Sequence, residues 1–357
     1  MATENPLWRL EPHTRGKHQV LRRYLEAWFP IMGSWNRRVL FIDGFAGPGE
    51  YEGREEGSPI IAMKSLLEHR SKGLVKAEVG FIFIEKDPDR AAHLKGLVSK
   101  LPLPANCKVR VINSAFDKTS TKVLDQLDAQ TQKLAPCFIM VDPFGVSDTP
   151  MDVIGGILRN PKSEVYVSFM YESINRFKGT PEFEHHLDTL FGSTSWREGR
   201  EISDRAKRKQ FFYDLYETQL RRSGARYVVH FDMYEGQRLV YAIFFCTHNL
   251  KGCDKMKEAI WRVVPSGDFA FKGMRSGQLT LNLGGYDFEP LKAVLRAKFQ
   301  GRGWVKISEV EEFVSSDETY YYSSQLRTNA LAPMESAGEI EVDETTRKRK
   351  SKVSRWN

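Results

Sequence analysis

Apolar and polar positions recur along this chain in two rhythms, and the order of those rhythms predicts an architecture. Residues 14–32 place Val20, Leu21, Tyr24, Leu25, Trp28 and Phe29 three and four apart, as on one face of an amphipathic helix. Arg15, Lys17, Arg22 and Arg23 read as its basic face. The run 38–42 is short and apolar and ends at Asp43, which predicts a buried strand entering a glycine turn. A helix over 58–70 follows, with Ser58 as N-cap and Pro59 in its first position. Strands are then expected over 79–84, 108–112, 137–141 and 164–170, separated by helices over 87–100, 118–132 and 150–159. Such alternation predicts an α/β fold: a doubly wound, Rossmann-like parallel sheet with helices on both faces.

Residues 171–225 are polar and charged and read as a helical insertion. Two β-rich runs, 225–231 and 239–246, are joined by a hairpin-like 232–236, which predicts an antiparallel end to the sheet. A helix over 255–263 comes next. From about residue 285 the elements become small: helix 288–299, extended 304–307, a helix over 309–314 capped by Ser308, helix 320–334 and strand 338–342. That order looks like a winged helix, with a helical cap packed on the sheet as the alternative. The expected organisation is a basic helical segment 1–36, a sheet domain 37–284, a winged-helix-like domain 285–346 and a basic tail 347–357.

Composition narrows the class. With 41% apolar and 28% charged residues in 357, the chain reads as a soluble globular protein. No apolar run is long enough to span a bilayer. The formal net charge of +7 fits a polyanionic partner such as RNA or DNA. Lys17, Arg22 and Arg23 on the first helix, and Arg347, Lys348, Arg349 and Lys350 in the tail, are the candidate phosphate contacts. Cys107, Cys137, Cys246 and Cys253 form no paired framework, and the first residues hold no apolar signal core; both set the expectation of reduced thiols in a cytoplasmic protein. Cys246, His248 and Cys253 lack a second matched pair, so no metal site is expected.

The residues that carry chemistry fall at predicted strand ends. After the first strand comes Asp43-Gly44-Phe45-Ala46-Gly47-Pro48-Gly49. Gly47 and Gly49 permit a sharp turn and close backbone approach to a ligand. A carboxylate at Asp43 suits a ligand bearing an ammonium and suits a pyrophosphate badly, and Pro48 removes an N–H that a phosphate cradle would use. The loop therefore reads as a site for S-adenosyl-L-methionine (SAM), with a ligand-free turn as the alternative. Glu85 ends the second strand, where an acid accepts ribose hydroxyls; Asp87 competes for that role but suits a helix N-cap. Ser114 and Ala115 follow the third strand, where an adenine would lie by topology alone. Asp142-Pro143-Phe144-Gly145 follows the fourth. Asp142 and the Pro143 carbonyl are acceptors and Phe144 is a flat apolar plate, a set that holds a planar amine beside the cofactor. A cytosine C5 mechanism would need a thiolate beside this loop, and Cys137 lies back in the strand.

These residues also carry a family resemblance. His13, Lys17, Tyr24 and Trp28, the run Phe41 to Tyr51, Gly57-Ser-Pro59, Asp142 to Gly145, Tyr171 to Arg176 and Thr247 to Gly252 resemble the three-Cys-motif partner protein family (TcmP) over roughly residues 13–264. The resemblance implies a class I methyltransferase fold, a phage-associated or bacterial setting, and a partner protein with a three-cysteine motif similar to radical-SAM enzymes. The Asp142 to Gly145 segment also resembles the corresponding motif of tRNA guanine N2,N2-dimethyltransferases, which implies a nucleobase exocyclic amine as methyl acceptor. A scaffold that binds SAM and nucleic acid without catalysis is the alternative.

Overall fold

The computed structural model describes residues 7–264, 270–271, 287–343, 345 and 353–356. The chain divides into two units, Met1–His248 with Ala270–Gly273, and Asn249–Phe269 with Met274–Asn357.

The first unit is built on one sheet. Its elements are α1 (Pro12–Trp35), β1 (Arg38–Asp43), α2 (Ser58–Leu67), β2 (Glu78–Glu85), α3 (Pro88–Val98), β3 (Cys107–Asn113), α4 (Phe116–Ala129), β4 (Cys137–Val141), α5 (Met151–Leu158) and β5 (Ser163–Phe169), followed by α6 (Tyr171–Phe177), α7 (Glu184–Phe191), α8 (Arg205–Arg222), β6 (Tyr227–Glu235), β7 (Arg238–Thr247) and the two-residue β8 (Ala270–Phe271). The strand order is β3-β2-β1-β4-β5-β7-β6-β8. β1 to β5 run parallel and β7 is antiparallel to both β5 and β6. Every residue of β4 and β5 is buried, as a parallel strand covered on both faces requires. Helix α1 lays Leu21, Tyr24, Leu25, Trp28 and Phe29 on one face, where aromatic packing continues through Phe138 and Phe41, stacked at 5.8 Å. Helices α6, α7 and α8 lie between β5 and β6, and the charges of this segment pair internally: Arg197 with Asp188 at 2.7 Å and Arg205 with Glu172 at 3.0 Å.

The cap of α2 differs from the sequence reading. Gly57, not Ser58, caps α2, and Ser58 is its first residue, because the extended backbone stops one residue earlier.

The second unit contains α9 (Leu250–Val263), α10 (Glu289–Phe299), β9 (Gly303–Lys306), α11 (Ile307–Ser315), α12 (Ser323–Leu326), α13 (Ala332–Ser336), β10 (Ile340–Val342) and β11 (Val353–Trp356). Leu291, Leu295, Phe299, Val310, Val314, Leu326 and Met334 form its core. Helix α9 falls in this unit rather than with the sheet domain expected to end at 284. The cause is polar: the buried Lys257 ammonium donates to the carbonyls of Val314, Ser316 and Thr319, and Asp254 accepts from the Ser323 N–H and hydroxyl at 2.6 and 2.8 Å. The helix expected over 320–334 is split by a π-turn at Arg327–Leu331, since Pro333 has no N–H to continue the ladder. The small sheet has the order β10-β11-β9, antiparallel throughout. Its central strand, Val353–Trp356, comes from the segment read as a solvated tail; Arg347 to Lys350 lie outside the described residues.

A buried carboxyl ties α1 to the sheet. Glu164 on β5 accepts from the Tyr24 hydroxyl at 2.7 Å and from Thr247 Oγ1 at 2.7 Å. Burial pushes its pKa up to about 7, against the pull of these hydrogen bonds. A carboxyl raised on folding supports the fold fully below its unfolded value and loses that support as pH rises through about 7. Melting scans at pH 5 and pH 8 should therefore show Glu164→Gln flattening the alkaline fall of the wild type, a fall of up to about 1.4 kcal/mol for each pH unit in the window.

Candidate functional site

Three carboxylates stand at the carboxyl ends of adjacent parallel strands, and each is held differently. Asp43 ends β1 and is fully buried. Its Oδ1 accepts from the Phe45 N–H at 3.1 Å, and its Oδ2 has no hydrogen-bond partner among the described residues. Burial pushes this carboxyl up to about 7; the Ser58 hydroxyl and the Phe45 N–H pull the other way. A buried carboxylate oxygen without a partner costs free energy unless something fills its place, and an ammonium fits.

The loop after Asp43 is stitched to both neighbouring strands. Gly44 N–H donates to the Met140 carbonyl and Ala46 N–H to the Ile84 carbonyl, both at 2.9 Å. Gly47 and Gly49 have φ of +61° and +87°, a left-handed region closed to most side chains, and a Cβ at Gly49 would lie 2.6 Å from Leu94. Phe45 packs on the buried Phe116 at 5.6 Å. Glu85, at the end of β2, accepts from the Gly47 N–H and the Asp87 N–H, each at 2.8 Å. It therefore holds the loop in shape, and each carboxylate oxygen keeps capacity for a further hydroxyl proton. Asp87 caps α3, accepting from the N–H groups of Asp89 and Arg90 at 3.0 Å. Ser114 N–H donates to the Glu85 carbonyl at 3.0 Å, which places Ser114 and Ala115 at the same edge.

Asp142 follows β4, the strand beside β1. Lys17 donates to its Oδ2 and Ser168 to its Oδ1, both in short contacts. Burial pushes the Asp142 carboxyl up, but the Lys17 ammonium, its hydrogen bond and that of Ser168 outweigh burial and hold the pKa below its ordinary value. The neighbouring Pro143 is buried, whereas the Phe144 ring is 79% exposed. Trp8 meets Phe144 edge-on at 5.6 Å, lies beside Gly47 and carries the Arg90 guanidinium 4.3 Å over its ring. Burial drives the Cys137 thiol pKa well up, so it offers no thiolate.

The basic face expected on α1 is divided: Arg15 and Arg23 are exposed, Arg22 is partly covered and Lys17 is buried. Lys17 is 3% exposed, because it lies on the apolar stripe, four, seven and eleven residues before Leu21, Tyr24 and Trp28. That spacing was the available signal. Arg22 pairs with Glu56 at 2.5 Å, while Arg15 and Arg23 are half-exposed, 3.6 Å from Glu55 and 3.4 Å from Glu26. Sequence reasoning also missed Trp8 and Ser168, neither of which belongs to a motif.

The sheet order, with the antiparallel β7 between β5 and β6, is a doubly wound, Rossmann-like arrangement. No protein-family model matches the chain, and no curated protein matches it, so the likeness to three-Cys-motif partner proteins rests on the residues quoted above. Solved structures similar to it include Trm1 from Pyrococcus horikoshii in complex with S-adenosyl-L-methionine (13% identity, TM-score 0.41, 72% of this chain and 61% of that one). A protein from Legionella pneumophila (12%, 0.41, 67% and 85%) and the cyclopropane synthase MmaA2 from Mycobacterium tuberculosis (11%, 0.29, 66% and 68%) are further examples. The chain thus spans about three fifths of the length of Trm1. Among the described residues no helix is long and apolar enough to cross a membrane.

If Asp43 seats an ammonium, its ionisation is linked to binding. Calorimetric titration with SAM should show affinity falling as pH drops below about 7, by up to about tenfold per unit. Asp43→Asn should abolish that dependence and weaken binding by roughly 10- to 100-fold, the worth of a hydrogen bond to a charged group.

Proposed function

We propose that this protein is a SAM-dependent methyltransferase that methylates an exocyclic amine of a nucleobase in RNA or DNA. The observation that carries the reading is the pairing at the β4 end: an ionised, hydrogen-bonded Asp142 two residues before a Phe144 ring left 79% exposed. An exposed aromatic next to a fixed acceptor suits a flat ligand with N–H donors and leaves a chain that only folds unexplained.

The residues divide by role. Asp43 would take the cofactor's ammonium, the Gly44 to Gly49 loop its methionine part, Glu85 its ribose and Ser114 and Ala115 the region of its adenine. When bound, SAM supplies an electrophilic methyl group. Asp142 and the Pro143 carbonyl would accept hydrogen bonds from the two N–H groups of the target amine, localising its lone pair, while Phe144 stacks on the base. Positioning then supplies much of the rate.

The nucleic-acid assignment draws on the second unit as well. Trp304 is half-exposed on β9, directly opposite Arg355 on β11, and Lys306 shares the same outer face. Aromatic and basic side chains interleaved on one sheet face suit stacked bases and phosphates, as in winged-helix-like and single-strand binders. Arg23 remains a phosphate contact in this reading; Lys17 and Arg22 do not.

Incubation with methyl-labelled SAM and total tRNA, rRNA or DNA, with and without a three-Cys-motif partner, should label one nucleic-acid pool. Asp142→Ala should lose label by roughly 100-fold or more at unchanged SAM affinity. SAM binding without label in any pool would favour a non-catalytic scaffold.

A further inference from the structure

Lys17 and Asp142 lie 125 residues apart and meet at the end of β4. The lysine is 3% exposed, and its carboxylate partner keeps a side chain 23% exposed. The Lys17 ammonium also sits 5.3 Å from the Tyr241 ring centroid, a cation–π distance. His13, one helical turn before Lys17, packs edge-on against the same Tyr241 ring at 5.5 Å. Ser168 takes the second Asp142 oxygen from β5. The carboxylate is therefore gripped at both oxygens, from a helix on one side and a strand on the other.

We infer that Lys17 is a positioning residue of the acceptor site, fixing Asp142 in its ionised form and in one orientation so that its remaining lone pairs face the target amine. This rests on the methyl-transfer reading of the site. The physical case has three parts. A carboxylate accepts about four hydrogen bonds, so one from Lys17 and one from Ser168 leave capacity for an incoming N–H. A charge in this place needs a facing cation, since Asp43 from β1 and the Tyr51, Tyr166 and Tyr241 hydroxyls supply none. His18, the next residue of α1, cannot substitute, because burial and the Lys17 charge drive it down to about 3 and leave it neutral. Lastly, an amine nitrogen that gains a methyl group carries positive charge until one of its protons leaves to solvent water, and an acceptor that stays ionised lowers the cost of that charge.

The assignment makes Lys17 part of the site in place of the surface phosphate contact that charge patterning suggests. It also explains why a lysine occupies the apolar stripe of α1, where Leu or Met would pack without the cost of burying a charge.

The test uses full-length protein and four variants: Lys17→Gln, Lys17→Arg, Asp142→Asn and the double Lys17→Gln/Asp142→Asn. Carbon NMR of aspartate carboxyls, with Asp142→Asn assigning the signal, reads the Asp142 titration without any substrate. Lys17→Gln should move its midpoint up by at least one pH unit, and Lys17→Arg should bring it back. In the label-transfer assay Lys17→Gln should lose on the order of 100-fold at unchanged SAM affinity. In the Asp142→Asn background it should cost nothing further. The double variant, which removes both charges together, should melt near the wild type and so shows that the helix still docks. An Asp142 midpoint unmoved by Lys17→Gln, or full transfer by that variant where Asp142→Asn has lost it, would overturn the inference. Absence of transfer in the wild type sinks the methyl-transfer reading instead, and the NMR arm then decides whether Lys17 sets the state of Asp142.

Discussion

The site depends on how one helix is fastened to one sheet. Helix α1 meets the strands through two carboxyls, Glu164 near the start of β5 and Asp142 just beyond β4. The first is bound by neutral hydroxyls and the second by an ammonium. That difference sets their chemistry. Hydroxyl partners cannot offset the desolvation of Glu164, so its pKa rises, whereas Lys17 offsets that of Asp142, whose pKa falls. Of two acids on neighbouring strands under one helix, the one paired with an ammonium stays ionised near neutral pH and the one bound by hydroxyls is only partly ionised. The ionised one is also the more exposed.

Asp43 completes the contrast. It has neither cation nor full hydrogen bonding, and its free oxygen lies at the point where strand order reverses between β1 and β4. In open α/β sheets that reversal opens a crevice at the carboxyl ends of the strands. The loop beside it cannot relax to cover the orphan oxygen, because Glu85 and the carbonyls of Met140 and Ile84 hold it through Gly47, Gly44 and Ala46. Preorganisation of this kind is what a binding site needs, since nothing has to be ordered when the ligand arrives.

Much of this was legible in the sequence because it depends on local order along the chain. Strand ends, glycines and the acids that follow them are consecutive residues, so Asp43, Gly47, Gly49, Glu85 and Asp142 could be found by spacing alone. Asp87 was separated from Glu85 by the same local logic, as a helix cap. What escaped depends on side chains meeting across the fold. Lys17 reaches Asp142 from another element, Ser168 does so from the next strand, and Trp8 leans on Gly47 and Phe144 from a segment without periodicity. The boundary of the second unit was missed for the same reason. Helix α9 adjoins the sheet in sequence, but Lys257 and Asp254 fasten it to residues near 314–323.

Lys17 shows most clearly where pattern reading fails. A helical wheel sorted by charge puts every lysine and arginine outside, and that rule holds for Arg23. It fails at Lys17, whose position relative to Leu21, Tyr24 and Trp28 assigns it to the buried stripe whatever its charge. Position outranks residue type because the helix geometry is fixed by the apolar contacts, each worth about 1.5–3 kcal/mol, whereas a single lysine can be accommodated if it finds a partner. The lysine then has to find an acid, and Asp142 is that acid. A buried pair of this kind contributes little net stability compared with two apolar residues, so stability alone does not account for it. What the pair does provide is a carboxylate with a fixed charge and a fixed direction at the mouth of the crevice, and an acceptor for an amine requires both.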